Sequence, residues 1–242
     1  MRSFTEEPIA ADFVKKLKAE ITMTNTHQQG IKFQLITDDP DPFKGFSKSY
    51  GIFENPRNYM AAVVDTATPD VLERAGYFAE KFTIKAVELG LGTCFVGGTY
   101  NDKTVKAQLR AGEKVLFLVL LGFGKEKSRF LAKVMMNMVH RKQMDAKSFF
   151  EPQSEYDRAV EECGNLREGL EAVACAPSAL NKRPVRIFLT DKDGEKIPCA
   201  RVDASNPKNL IDLGIAKFNF NFATETECEW GNGAPLEINL YD

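Results

Sequence analysis

The amino-acid sequence predicts an α+β fold built from two similar halves. The composition is that of a globular protein, because 43% of the 242 residues are hydrophobic and 27% are charged. Short apolar runs typical of buried strands alternate with longer runs whose apolar residues recur at helical spacing. Two stretches far apart along the chain also share a pattern of glycine and aromatic residues, which indicates an internal repeat.

The first half begins with a helical pattern followed by extended patterns. An amphipathic helix is predicted at residues 13–21, and strands are predicted at residues 31–37, before the turn-rich "DDPDP", and at residues 59–65. Apolar side chains recur at helical spacing through residues 71–89. This segment is therefore predicted to be a long, largely buried helix that ends at Gly90.

A loop, a short helix and a core strand are predicted next. The stretch "GLGTCFVGG", residues 90–98, is rich in small residues and is predicted to be a loop. Residues 102–110 are predicted to form a polar helix. The most apolar run, residues 115–121, is too short to span a bilayer and is predicted to be a buried strand.

The second half is predicted to begin near "FFEPQSEYD", after a basic stretch at residues 125–147. It contains a predicted helix at residues 156–173, a strand at residues 185–190 and a long helix at residues 209–224. "GYFAEKF" in the first half and "GIAKFNF" in the second share a glycine, an aromatic end and the spacing between them. Chance similarity between two α/β segments is the alternative to a true repeat.

Charge and residue usage exclude several classes of function. A net charge of -2 gives no overall field that would attract nucleic acid or an anionic membrane. Five cysteines form no C-x-x-C motif and the chain has two histidines, so no metal site is predicted. No apolar leader follows Met1, so the prediction is a cytoplasmic protein with reduced thiols. We find no Ser/His/Asp or paired-carboxylate arrangement, so no side chain is predicted to be catalytic.

The stretch "CAPSALNKRP", residues 175–184 and called the corner below, joins a predicted helix to a predicted strand. Pro177 lacks a backbone N–H and pushes the preceding residue away from helical angles, so the helix is expected to stop there. Ser178 and Asn181 then offer short polar side chains. Such a segment is either a plain turn or a ligand site.

Four ordered pieces of the chain resemble the FMN-dependent nitroreductase family. They are "RSFTEEPI", "ERAGYFAEKFTIKAVELGLGTCFVGGTYN", "APSALNKRP" and "IDLGIAKFNF". The resemblance is closer to the tandem form, in which two half-copies in one chain imitate the usual homodimer. It implies nitroreductase-like halves at residues 1–150 and 151–242, with mixed, mostly antiparallel sheets flanked by helices. The long helices would pack across a pseudo-twofold interface, and the chain would act as a monomer.

The resemblance also implies which residues contact the flavin. In the first half, the contacts would be Phe95, Val96, Gly97 and Gly98, whose loop would aim N–H groups at flavin N5. A tight turn is the alternative reason for glycines here. In the second half, the contacts would be Pro177, Ser178, Ala179 and Asn181. The equivalent first-half corner, "TMTNTHQQG", has lost the proline, so one flavin site is expected rather than two.

Cations for the flavin come from the same resemblance. Arg2 would place positive charge near N1 and C2=O, although a solvated terminal arginine is the alternative. Arg141 and Lys142 best match the family's phosphate-binding cations, and a solvated basic face is the alternative. The first Arg and the Ser of the family's N-terminal pattern would lie before Met1. Arg183 stands where the family usually has Gln.

The resemblance therefore implies an FMN oxidoreductase with a ping-pong cycle. NADH or NADPH would deliver hydride to flavin N5, and a small nitroaromatic or quinone acceptor would then take the electrons. The alternative is a degenerate member that binds FMN without turnover or has lost the cofactor, which the missing Arg-x-Ser and Arg183 favour. No nucleic-acid or membrane partner is expected.

Overall fold

The helices and strands of the chain fall into two units, and each unit contains an antiparallel sheet. The computed structural model describes residues 1–45, 52–125, 145–192 and 194–237. The first unit comprises Met1–Ala67 and Lys81–Val139, and the second comprises Thr68–Glu80 and His140–Asp242. Because helices and antiparallel strands occur in both, the predicted α+β class is confirmed.

The first unit is built on a four-stranded antiparallel sheet with a helix against its first strand. Its elements are α1 (Ala11–His27), β1 (Ile31–Ile36), β2 (Tyr59–Val64), β3 (Gly92–Val96) and β4 (Lys114–Gly122). The strands lie in the order β1, β2, β4, β3. Every residue of the central strand β2 is buried, as its uninterrupted apolar sequence requires.

Helix α2 (Pro69–Glu88) is divided between the units, since its residues through Glu80 belong to the second and those from Lys81 to the first. Thr68 begins the helix, because its hydroxyl accepts from the Val71 N–H at 3.4 Å and its carbonyl accepts from the Leu72 N–H at 3.0 Å. Proline at the first helical position suits this start, since it has no N–H to leave unpaired.

Two segments of the first unit differ from the sequence prediction. The small-residue stretch predicted as a loop contains β3, which pairs with β4, because its Thr, Cys, Phe and Val favour strands more than the flanking glycines oppose them. The polar helix predicted at residues 102–110 is a single turn, Asp102–Thr104. Beyond it, the Gln108 N–H donates to the side chain of Gln34 at 2.8 Å, a tertiary bond that replaces a helical one.

The second unit combines helices with a pair of antiparallel strands. Its further elements are α3 (Tyr156–Glu162), α4 (Leu166–Cys175), β5 (Arg186–Lys192), β6 (Glu195–Arg201) and α5 (Lys208–Thr224). One helix was predicted over residues 156–173, but Gly164 lies in a break between α3 and α4. β6 was not predicted; it contains Pro198, which an edge strand tolerates.

Helices α2 and α5 cross with their backbones in direct contact. A Cβ atom placed on Gly214 would overlap the carbonyl oxygen of Glu73, and one placed on Gly76 would overlap the carbonyl oxygen of Ile211. Glycine is the residue without a Cβ, so glycine at both positions is what permits this separation. The crossing therefore fixes where α5 lies within the second unit.

A buried ion pair lies close to this crossing. Lys217 on α5 is 0% exposed, and its Nζ lies 2.6 Å from the Glu73 carboxylate. Nζ also donates to the carbonyl oxygens of Glu229 and Gly231, at 2.8 and 2.9 Å. Since a buried ammonium is tolerated when it is paired and fully hydrogen-bonded, these three acceptors account for its burial.

Gly214→Ala should destabilise the second unit, because the added methyl group meets the backbone of α2 rather than a movable side chain. We expect the free energy of unfolding to fall by about 2–3 kcal/mol, measured by urea denaturation. The matched control is Gly164→Ala, where a Cβ atom meets nothing within 4 Å. An equal effect of the two substitutions would show that the crossing is looser than described.

Lys217→Met should be more costly, because it leaves the Glu73 carboxylate buried without its cation. The expected loss is about 3–5 kcal/mol in the free energy of unfolding. Adding Glu73→Gln to this variant should recover part of the loss, since the second change removes the uncompensated charge. Lys196→Met, which breaks an exposed pair with Asp191, is the control and should cost less than about 1 kcal/mol.

Candidate functional site

Arg2 lies in a segment that the backbone ties to the first unit. Its carbonyl oxygen accepts from the Glu54 N–H at 2.9 Å, and the Phe4 N–H donates to the Glu54 carbonyl at 3.0 Å. Phe4 is buried in the same apolar cluster as Val96. Among the described residues, the Arg2 guanidinium has no hydrogen bond or ion pair, so its donors are available to a ligand.

The loop after β3 exposes the backbone of Gly97 and Gly98, and this pair is called the glycine loop below. A Cβ atom placed on either residue would meet no heavy atom of the described residues within 4 Å. In the described part of the chain, neither N–H has a hydrogen-bond partner. Open space beside unpaired donors is the condition for close approach of a ligand's acceptor atoms to the backbone.

The φ angles distinguish the glycine loop from an ordinary helix-ending turn. Gly90, which follows α2, has a φ of 79° and is required by its turn. Gly97 and Gly98 do not have positive φ, so backbone conformation does not explain glycine there. A tight turn therefore explains Gly90 but not Gly97 and Gly98, and the glycine loop remains a predicted ligand contact.

The residues after the glycine loop anchor it to the first unit. Tyr100 is buried in the apolar cluster that also contains Val96, and burial raises the pKa of its hydroxyl to about 12. The Asn101 N–H donates to the Pro42 carbonyl at 2.8 Å. The loop is therefore held at both ends, by β3 before it and by these contacts after it.

The other predicted contacts of the first half have different surroundings. Val96 is buried, so its backbone rather than its side chain is accessible for a contact. Phe95 is partly exposed, and its ring centroid lies 5.6 Å from that of Phe117. Arg141 and Lys142, predicted to bind the flavin phosphate, lie outside the described residues.

In the second unit, the corner begins where the sequence predicts. Ala176, just after α4, is extended with φ -58° and ψ 137°, as expected before Pro177. Left-handed backbone follows at Leu180, Asn181 and Arg183, with φ of 52°, 53° and 50°. A left-handed conformation costs a residue with a Cβ atom about 1–2 kcal/mol, so other interactions must hold this backbone.

Three side chains hold the corner. The Ser178 hydroxyl oxygen accepts from the Arg183 N–H at 2.9 Å. The Asp212 carboxylate, on α5, accepts from the Ala179 N–H at 3.0 Å. Arg183 Nε donates to Asn181 Oδ1 at 2.9 Å. The Ala179 amide is thus already bound, whereas Asn181 Nδ2 has no partner among the described residues.

A small pocket lies beside the corner. Its apolar lining includes Phe149, Val173 and Val185, and its acidic group is Asp212, which is 5% exposed. Burial raises the pKa of Asp212 to about 6, while the Ala179 N–H and the positive charge of Lys182 oppose that rise. Sequence reasoning missed Asp212, although an acidic residue within the apolar run "LIDLGIAKF" was the available signal.

The described donors suit the chemistry of a flavin. FMN presents acceptor atoms at its ring carbonyls, ring nitrogens, ribityl oxygens and phosphate, so it needs N–H donors and cations from a protein. The glycine loop and Arg2 offer such donors in the first unit, and Asn181 Nδ2 offers them in the second. That both sets serve one flavin stays a prediction.

The described residues form neither a metal site nor a membrane-spanning helix. Within the described ranges, no group of three or more His, Cys, Asp or Glu side chains could hold a metal ion. No helix in the part of the chain that the structure describes is long and apolar enough to cross a membrane.

The fold is shared with one solved structure that is described as a nitroreductase. A "putative nitroreductase" from Thermotoga maritima matches with a TM-score of 0.60 and 18% identity, covering 97% of this chain and 86% of that chain. An "FMN-dependent Nitroreductase" from Clostridium difficile has a TM-score of 0.42 and 14% identity, covering 60% and 94%. NfrA1 nitroreductase from B. subtilis has a TM-score of 0.39 and 17% identity, covering 60% and 70%.

A match to a family model shows which family the chain belongs to. A model of the family described as "Putative TM nitroreductase" matches residues 1–224. The chain therefore belongs to this family, and the nitroreductase resemblance seen in the sequence is confirmed. Comparison with curated proteins gives no match. Membership of a nitroreductase family supports a general role as an oxidoreductase.

Asp212→Asn should change how stability depends on pH. Because the pKa of Asp212 is raised from 3.8 to about 6 on folding, the folded state holds this proton more tightly than the unfolded state. The resulting stability is fully present below about pH 4 and is lost as the pH rises through about 6. Relative to the variant, the wild-type chain should lose about 2 kcal/mol between pH 4 and pH 6, measured by urea unfolding.

A control for this prediction is Asp203→Asn. Hydrogen bonds from Ser205 hold the pKa of Asp203 below its usual value, so this exposed group should act in the opposite direction. Equal stability differences between wild type and Asp212→Asn at pH 4 and pH 7 would contradict the raised pKa of Asp212.

Proposed function

We propose that the chain is an FMN-dependent oxidoreductase that takes electrons from NADH or NADPH and passes them to a small nitroaromatic or quinone acceptor. The observation that carries the proposal is the glycine loop, with its unpaired N–H groups and open space, in a chain of a nitroreductase family. When bound, FMN would supply the chemistry, accepting hydride at N5 and then reducing the acceptor in a ping-pong cycle.

The residues of the chain would bind and tune the cofactor. Gly97 and Gly98 would donate their N–H groups to acceptor atoms at the flavin edge. Arg2 would place positive charge near N1 and C2=O, where negative charge develops on reduction. Asn181 would donate from Nδ2, and the phosphate would be held by Arg141 and Lys142. No side chain is assigned as an acid or a base, since protons can come from solvent.

We further propose that the chain is a monomer whose two half-copies, residues 1–150 and 151–242, replace the two subunits of a homodimer. The helix crossing supports this, because its contacts are reciprocal. Gly76 meets Ile211, and Gly214 meets Glu73, so each glycine meets the residue three positions before the other glycine. This pattern is the one expected where two equivalent helices meet on a twofold axis.

The functional proposal is tested by titrating the purified chain with FMN. We expect a yellow complex that NADH or NADPH bleaches under anaerobic conditions and that a quinone re-oxidises. A chain that stays colourless in excess FMN would contradict flavin binding. A yellow chain that neither nicotinamide bleaches would identify a flavin-binding protein without turnover.

The variant Gly98→Val tests whether FMN binds at the glycine loop. Since a Cβ atom at residue 98 meets nothing within 4 Å, the free energy of unfolding should change by less than about 1 kcal/mol. The same side chain would fill the space that the flavin needs, so FMN affinity should fall at least about tenfold. Gly164→Val, in open space of the second unit, is the matched control and should bind FMN normally.

A further inference from the structure

The Arg183 guanidinium donates two of its five N–H groups within the protein. Its Nε donates to Asn181 Oδ1 at 2.9 Å, and its Nη1 donates to the carbonyl oxygen of Ala174, in the last turn of α4. The Arg183 N–H is held as well, by the Ser178 hydroxyl at 2.9 Å. The guanidinium therefore bridges the end of α4 and the side chain of Asn181.

This bridge determines which way the Asn181 amide faces. A guanidinium donates hydrogen bonds and cannot accept them, so Arg183 requires the oxygen of the amide on its own side. The Nδ2 group must then point the other way, with its two N–H donors unpaired among the described residues. A glutamine at this position could donate or accept, and so would allow either orientation of Asn181.

The left-handed backbone makes this restraint necessary. Leu180 and Asn181 have φ of 52° and 53°, and the Leu180 side chain is 69% exposed and contributes little packing. The Ala179 N–H is bound by Asp212, which fixes the start of the turn, but no backbone group of the described residues bonds to the Asn181 side chain. Among the described residues, Arg183 is the partner that orients that side chain.

We propose that Arg183 is a positioning residue that holds the Asn181 amide so that the corner recognises hydrogen-bond acceptor atoms of the bound ligand. The inference rests on the proposed function for the identity of that ligand, FMN. Arg183 acts through Asn181 and does not itself touch the ligand.

The test compares FMN affinities of four single variants at pH 7.5 by quenching of flavin fluorescence. Arg183→Met removes the bridge, and we expect affinity to fall about tenfold, the equivalent of one hydrogen bond. Lys182→Met removes one positive charge from the neighbouring exposed position and should bind within about twofold of wild type. Asn181→Ala should lose at least as much affinity as Arg183→Met.

Asn181→Asp keeps the bridge, because a carboxylate also accepts from Arg183, but it removes both N–H donors. This variant should fold normally and still bind FMN at least about tenfold more weakly. It also keeps the proposal testable if Arg183→Met is unstable. Wild-type affinity in Asn181→Asp would overturn the proposal.

The double variant Arg183→Met/Asn181→Ala separates positioning from direct contact. If Arg183 acts through Asn181, the double variant should bind FMN as Asn181→Ala does, within about twofold. Additive losses would overturn the proposal, since they would mean that Arg183 contacts the ligand or supports the corner independently.

Riboflavin, which lacks the phosphate, identifies the acceptor atoms that Asn181 binds. If the variants lose affinity for FMN but not for riboflavin, the acceptor atoms belong to the phosphate. If they lose affinity for both, the acceptor atoms belong to the ring or the ribityl chain.

A measurement without ligand distinguishes failure of this inference from failure of the proposed function. In the ¹⁵N-labelled chain, the Nδ2 group of Asn181 should have a high order parameter, which falls in Arg183→Met and is unchanged in Lys182→Met. A mobile Asn181 amide in the wild-type chain would overturn the inference even if FMN binds. An ordered amide in a chain that does not bind FMN would leave the positioning role standing and overturn the proposed function.

Discussion

The second unit depends on the buried ammonium group of Lys217. Its three acceptors come from two parts of the chain, the Glu73 carboxylate on α2 and the carbonyls of Glu229 and Gly231 after α5. Glu73 in turn accepts from the Gly231 N–H at 3.0 Å. Because any displacement of α5 would leave a charge unpaired in a dry interior, the rotation and height of this helix are strongly restrained.

The restraint on α5 is transmitted to the corner. Asp212 precedes Gly214 by two residues, so the glycine crossing that seats α5 also sets the position of the carboxylate that binds Ala179. The crossing brings the helices close, and the ion pair prevents them from sliding. The glycine crossing and the ion pair make no ligand contact, yet together they hold the backbone of the corner. The left-handed residues of the corner would not be stable without this support.

The sequence predicted the α+β class, the two long helices and the corner, because hydrophobic periodicity and proline act locally. It did not predict β3, where pairing with β4 outweighed the flanking glycines, or β6, where Pro198 was acceptable at an edge. Within the candidate site, the sequence directed attention to Gly97, Gly98 and Asn181. It did not identify Asp212, whose role depends on a contact across 33 positions of the chain.

The same contacts change the interpretation of Arg183. An arginine in this corner would ordinarily indicate a phosphate contact. Its Nε and Nη1 donors are instead bound to Asn181 and Ala174, so this side chain donates in fixed directions within the protein. Under the proposed function, the Asn181 amide held in this orientation presents N–H donors that suit the acceptor atoms of a flavin. The arginine is therefore compatible with flavin binding.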